Sequence, residues 1–91
     1  MSIIGPHPTS GFRLDLLRET DLSPWRYSGQ LVTPLLQVPL TVDIEANGDV
    51  VIAAEIEATL AERVRLLVRQ VIKHALSEGQ TPPRRIQRWR P

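Results

Sequence analysis

Four arginines crowd the last eight residues, where Arg84, Arg85, Arg88 and Arg90 interleave with Ile86 and Trp89. Guanidinium groups make flat, forked contacts to phosphate or carboxylate, and an indole among them can stack on a base or anchor a protein contact. A second basic series, Arg65, Arg69 and Lys73, recurs in four-residue steps, which on a helix makes a continuous ridge. The candidate binding set for an anionic partner is therefore Arg65, Arg69, Lys73, Arg84, Arg85, Arg88, Trp89 and Arg90. The partner would be nucleic acid or an acidic protein surface. In a competing use of the same segment, Ile86 and Trp89 fold back on the domain or dock on a neighbouring subunit, with Pro82-Pro83 as a stiff spacer.

Other chemistries find little to work with. Asp43, Glu45, Glu55 and Glu57 share the odd-numbered face of a hairpin, but two lie near its loop and two toward its far end, so they read as a solvated acidic face rather than a magnesium or acid–base site. His7 and His74 have no acid or nucleophile motif around them. The chain has no cysteine, which excludes disulfides, cysteine-ligated zinc and cysteine nucleophiles together. The glycines at 5, 11, 29, 48 and 79 are too dispersed for a phosphate-binding loop. Trp25 and Tyr27 share a strand face and read as core or interface. No catalytic, cofactor or metal residues are assigned.

The charges divide along the chain. Through Leu60 there are eight acidic residues against three basic, net −5; from Ala61 onward there are eight basic against two acidic, net +6. The acidic sheet and the basic helix and tail are thus complementary, which favours self-assembly as well as anion binding.

Several elements must position these groups. Residues 1–11 carry two prolines, two glycines and no periodicity, and read as an irregular arm. Phe12, Leu14 and Leu16 alternate with Arg13 and Asp15 as a half-buried strand. Trp25 to Thr33 is a second strand, with Ser28-Gly29 a place for a bulge. Leu40, Val42 and Ile44 continue as Val50, Ile52, Ala54 and Ile56 across Asn47-Gly48. A two-residue turn would set one strand's apolar face against the other's polar face. A three-residue loop of Ala46, Asn47 and Gly48, with Gly48 left-handed, instead pairs Ile44 with Val50, Val42 with Ile52 and Leu40 with Ala54. Pro39 cannot donate to a ladder, so its strand is an edge at that point or pairs only from Leu40.

Thr59 and Glu62 have the spacing of a capping box, and Gly79 stands where a helix should end, which predicts a helix over Leu60–Glu78. Leu60, Val64, Leu67, Val68, Val71, Ile72, Ala75 and Leu76 form its apolar stripe.

At 91 residues, 42% hydrophobic and 23% charged, the chain has the composition of one small globular domain. No apolar run approaches the roughly 18 to 20 residues of a spanning helix, and no basic-then-apolar leader precedes Phe12, so the expected setting is cytoplasmic, away from membrane. The predicted fold is α+β: a small antiparallel meander of three or four strands packed by one long C-terminal amphipathic helix. The domain spans 12–79, with the arm at 1–11 and a Pro/Arg-rich basic tail at 80–91. The function expected is a non-enzymatic protein-interaction or assembly module, homo-oligomeric and dimeric in the simplest case. The alternative is a nucleic-acid-binding protein that uses the basic ridge and the Arg/Trp tail.

Overall fold

In the β-hairpin, Ile44 stands opposite Val50 and Val42 opposite Ile52. Gly48 N–H donates to Glu45 C=O, Glu45 N–H to Asp49 C=O, and Gly48 sits at φ 93°, so the loop is Ala46-Asn47-Gly48, as the hydrophobic pattern required. Asn47 Oδ1 accepts from Asp49 N–H at 3.0 Å and braces the loop.

The computed structural model describes residues 11–90, so the arm expected over 1–11 lies outside the described residues except for Gly11. The elements are β1 (Phe12–Arg18), β2 (Trp25–Val32), β3 (Gln37–Ile44), β4 (Val50–Ala53), α1 (Ala58–Ser77) and β5 (Arg85–Arg90). They form one antiparallel sheet in the order β4-β3-β2-β1-β5, packed against the single helix. The α+β class stands, with a fifth strand beyond the three or four expected. That strand, β5, is the segment read from sequence as a basic tail. Its register on β1 runs from Leu17–Arg85 to Phe12–Arg90, and Ile86 is fully buried. The four arginines masked a period-two segment carrying one core residue.

Three local expectations are corrected. The β2–β3 ladder pairs one residue with one from Trp25–Ile44 to Val32–Gln37, so Ser28-Gly29 makes no bulge. Gly29 answers a close approach instead: a β-carbon there would lie 1.9 Å from the Asp15 carbonyl oxygen. Strand β4 stops at Ala53, so Glu55 and Glu57 stand off the sheet, while Ala54 and Ile56 still pack on the core as the chain turns toward the helix. Helix α1 begins at Ala58, two residues early, so Thr59 lies in the first turn and no side chain caps it. Glu62 pairs with Arg65 instead. The other end follows expectation: Gly79 at φ 69° donates to Leu76 C=O and Gln80 N–H to Ala75 C=O, a Schellman ending.

At Pro39 the strand is indeed an edge, since β4 ends opposite Thr41. One sheet face carries Phe12, Leu14, Leu16, Tyr27, Leu31, Leu40, Val42, Ile44, Val50 and Ile86, all buried under Val64, Leu67, Val68 and Ile72 of the helix. Tyr27 is core, as read, and Trp25 packs at its margin. The chain between α1 and β5 is tied down by two hydrogen bonds: the Tyr27 hydroxyl donates to the Pro83 carbonyl and Arg18 Nη1 donates to the Pro82 carbonyl. Among the described residues no helix is long and apolar enough to cross a membrane.

Candidate interaction surface

Alternation along β5 divides the arginine-rich segment between two faces. Ile86, Arg88 and Arg90 stand beside Leu16, Leu14 and Phe12 on the helix side. Arg85, Gln87 and Trp89 stand beside Leu17, Asp15 and Arg13 on the open side. There Arg85 grips Asp15 through Nε at 3.1 Å and Nη2 at 3.0 Å, and the Arg13 guanidinium lies 5.5 Å from the centre of the Trp89 ring, half of whose surface remains exposed. Arg84, just ahead of the strand, approaches Asp21 at 3.7 Å.

The helical ridge is elsewhere. Helix α1 comes closest to β4, and Arg65 lies on that flank, bound to Glu62 through Nη2 at 2.6 Å and Nε at 2.8 Å and also within the field of Asp49. The Arg65 guanidinium holds the Glu62 carboxyl below its usual range, and both groups are solvated. Arg69 and Lys73 follow at one-turn steps on the same ridge. The eight residues singled out from sequence therefore occupy three places: the β4 flank of the helix, the helix-side margin of β5, and the open face.

What the fold does bring together is a groove between α1 and β5. One hollow of about 300 Å³ is lined by Leu67, Gln70, Val71, His74, Arg88 and Arg90. A second, of about 250 Å³, continues it past Phe12, Arg63 and Leu66. Arg63 stacks 5.2 Å above the Phe12 ring. Arg63 and Gln70 fall outside the regular 65–69–73 series and so do not stand out in the sequence, and His74 stands out only as a lone histidine with no acid or nucleophile motif around it. In the sequence they are marked only by their place on the flank of the apolar stripe opposite that series, and the strand this flank borders is set by the edge that β5 joins. His7 lies outside the described residues. Among the described residues no three of His, Asp and Glu gather closely enough to hold a metal ion.

The backbone of β5 completes the surface. Arg18 N–H donates to Arg84 C=O at 2.7 Å, which makes Arg84 and Arg18 a hydrogen-bonded pair. By antiparallel alternation Ile86, Arg88 and Arg90 also turn their amides and carbonyls to β1, so Arg85, Gln87 and Trp89 turn theirs outward. Two of those outward carbonyls are occupied from within the strand: Arg88 Nη1 donates to Gln87 C=O at 2.8 Å and Arg90 Nη1 to Trp89 C=O at 3.0 Å. Among the described residues no carboxylate pairs with Arg88 or Arg90.

No family model matches the chain, and neither the curated proteins nor the solved structures yield a match.

Proposed function

We propose that this protein is a non-catalytic interaction module and that its working surface is the β5 edge with the groove beside it, engaging an extended segment of a protein partner. The observation that carries the reading is the exposed edge itself: six residues at the rim of the sheet, with the helix drawn away toward β4 and an open groove alongside. An unpaired strand edge is a template for another strand, and main-chain hydrogen bonds supply affinity while flanking pockets choose side chains.

The other expectations draw less support. A homodimer would need apolar surface to bury, but Ile86 is absorbed into the core and Trp89 lies against Arg13. Leu17 and Val51 remain exposed on the open face, and a dimeric mass by light scattering would restore self-association. Nucleic-acid binding needs the basic groups on one track, whereas here they lie on three surfaces and Arg65 and Arg85 are paired with acids.

Selection from a display library of random extended peptides tests the proposal. Sequences enriched by the native protein should be lost with Gln87→Pro, which removes an outward amide without touching the β1 ladder. Equal enrichment by both proteins, or none by either, would refute it. Tight binding of a fluorescent oligonucleotide that collapses with salt would favour the nucleic-acid reading instead.

A further inference from the structure

We propose that the β5 edge is latched by its own arginines and admits only a strand bearing carboxylates two residues apart, so that the partner is an acidic extended segment of another protein. This deepens the interaction reading above and rests on it.

The latch is the pair of contacts from Arg88 to the Gln87 carbonyl and from Arg90 to the Trp89 carbonyl. These are two of the three carbonyls that β5 turns outward, and an incoming strand must donate its own amides to them. Docking therefore displaces both guanidinium groups. Returning a guanidinium to water beside a newly covered edge is costly, and pairing it with a carboxylate restores charge-assisted hydrogen bonds stronger than those lost.

Arg88 and Arg90 lie on the helix side of the sheet, two residues apart and on the same face. A strand laid beside β5 presents same-face side chains at that same interval, so acidic residues at i and i+2 meet the two freed arginines. The intervening side chain falls on the open side beside Trp89, where an apolar or aromatic residue fits.

The charge pattern also argues against a second copy of this chain as the occupant. Strand β5 carries no acidic residue, so antiparallel pairing of β5 with β5 gives the displaced guanidiniums of neither copy a carboxylate, and the registers that set Arg88 against Arg88 or Arg90 add like charges across a ladder, which are destabilising. Neutral strands fare better than that but leave the displaced guanidiniums unpaired. The arginines thus serve as protection against indiscriminate edge pairing and as the recognition element for the strand that is admitted.

The test uses the full chain and capped peptides of about eight residues, a usual strand length, alternating Glu with Val, alongside the same peptide with Gln for Glu. Amide hydrogen exchange reports the site and calorimetry the affinity. The expected result is protection of the Arg85, Gln87 and Trp89 amides by the Glu peptide, with affinity at least about tenfold above that of the Gln peptide. That preference should disappear in Arg88→Gln/Arg90→Gln, a double change at the surface that leaves Ile86 in place. Equal protection by both peptides would overturn the arginine selectivity while leaving edge docking intact. Protection of none of the three amides by either peptide would overturn both. Glu-peptide binding without protection at β5 would also overturn the proposal, as charge adsorption elsewhere. An oligonucleotide that binds more tightly than the Glu peptide, and is weakened by the same double change, would overturn it in favour of a phosphate partner.

Discussion

The two faces of this sheet are held by different physics. The helix side is closed by aliphatic packing in which Phe12, Leu14, Leu16, Tyr27, Val42, Ile44 and Ile86 lose essentially all contact with water. The open side is a lattice of solvated polar contacts: Arg26 with Asp43, Arg85 with Asp15, and Gln37 with Gln30. Removing an apolar group from the first face costs transfer free energy and leaves a cavity, whereas the second face is already wet and its charges are screened. Stability should therefore reside on one side of each strand, leaving the other side and the rim free to serve binding.

Strand β5 gives the sharpest test, because adjacent parts of one segment belong to both faces. Ile86→Ala is expected to destabilise the fold by about 3 kcal/mol, within the usual range for a buried isoleucine, while Trp89→Ala should cost no more than about 1 kcal/mol through its cation–π contact. Urea denaturation of the two variants measures both. Equal small effects would mean that β5 contributes little to the core and would break the comparison.

Gly29 and Ser28 repeat the test inside β2. A β-carbon at Gly29 meets the Asp15 carbonyl oxygen at 1.9 Å, a backbone atom that cannot rotate away, so Gly29→Ala should cost about 2 to 3 kcal/mol as the two strands are forced apart. Ser28, one residue away on the open side, loses only its exposed contact with Glu19, and Ser28→Ala should stay within about 0.5 kcal/mol. Thermal melting of the pair decides it.

These contrasts also explain what could be read from sequence. The hairpin register was legible because only one loop length aligns Ile44 with Val50 and Val42 with Ile52, so the hydrophobic pattern overruled the Asn47-Gly48 dipeptide. The helix stripe and its Gly79 ending were legible for the same reason: local chemistry and burial agree there. The helix start was not, because Thr59 and Glu62 satisfy a spacing rule that says nothing of where the chain arrives from β4. Strand β5 was hidden because its only fully buried side chain is Ile86, and Ile86 and Trp89, three residues apart and so on opposite faces, give no alternation among the arginines. The arginine latch and the groove were beyond reach for a related reason. They depend on which edge β5 joins and on the helix leaning toward β4, both fixed by packing between residues far apart in the chain.

Tyr27 lies at the boundary between core and surface chemistry. Its ring is buried and its hydroxyl donates to the Pro83 carbonyl, so Tyr27→Phe should cost about 1 kcal/mol at neutral pH by leaving that carbonyl short of a donor. Burial, partly offset by Arg18, pushes its ionisation from 10.0 up to about 12. The folded state thus keeps a proton that the unfolded state gives up. The stabilisation is fully present below pH 10 and is lost as pH rises toward 12. As this is the only tyrosine in the sequence, tyrosinate absorbance reports it directly, and an ordinary titration near pH 10 would contradict its burial.

The smallest expected effect is on the open face. Arg26 Nε lies 2.7 Å from Asp43 Oδ1 and Nη2 lies 3.3 Å from Oδ2, a forked contact across β2 and β3 that raises the arginine's pKa mainly through that hydrogen bond. Both side chains remain substantially solvated, so good geometry here does not imply much energy. A double-mutant cycle with Arg26→Ala and Asp43→Ala should return a coupling close to the error of the measurement, shrinking further in high salt. A coupling several times larger that persisted in salt would mean the open face is covered by something that excludes water. In that case the division of labour between the two faces would have to be redrawn, with the open side contributing to an interface as well as the β5 rim.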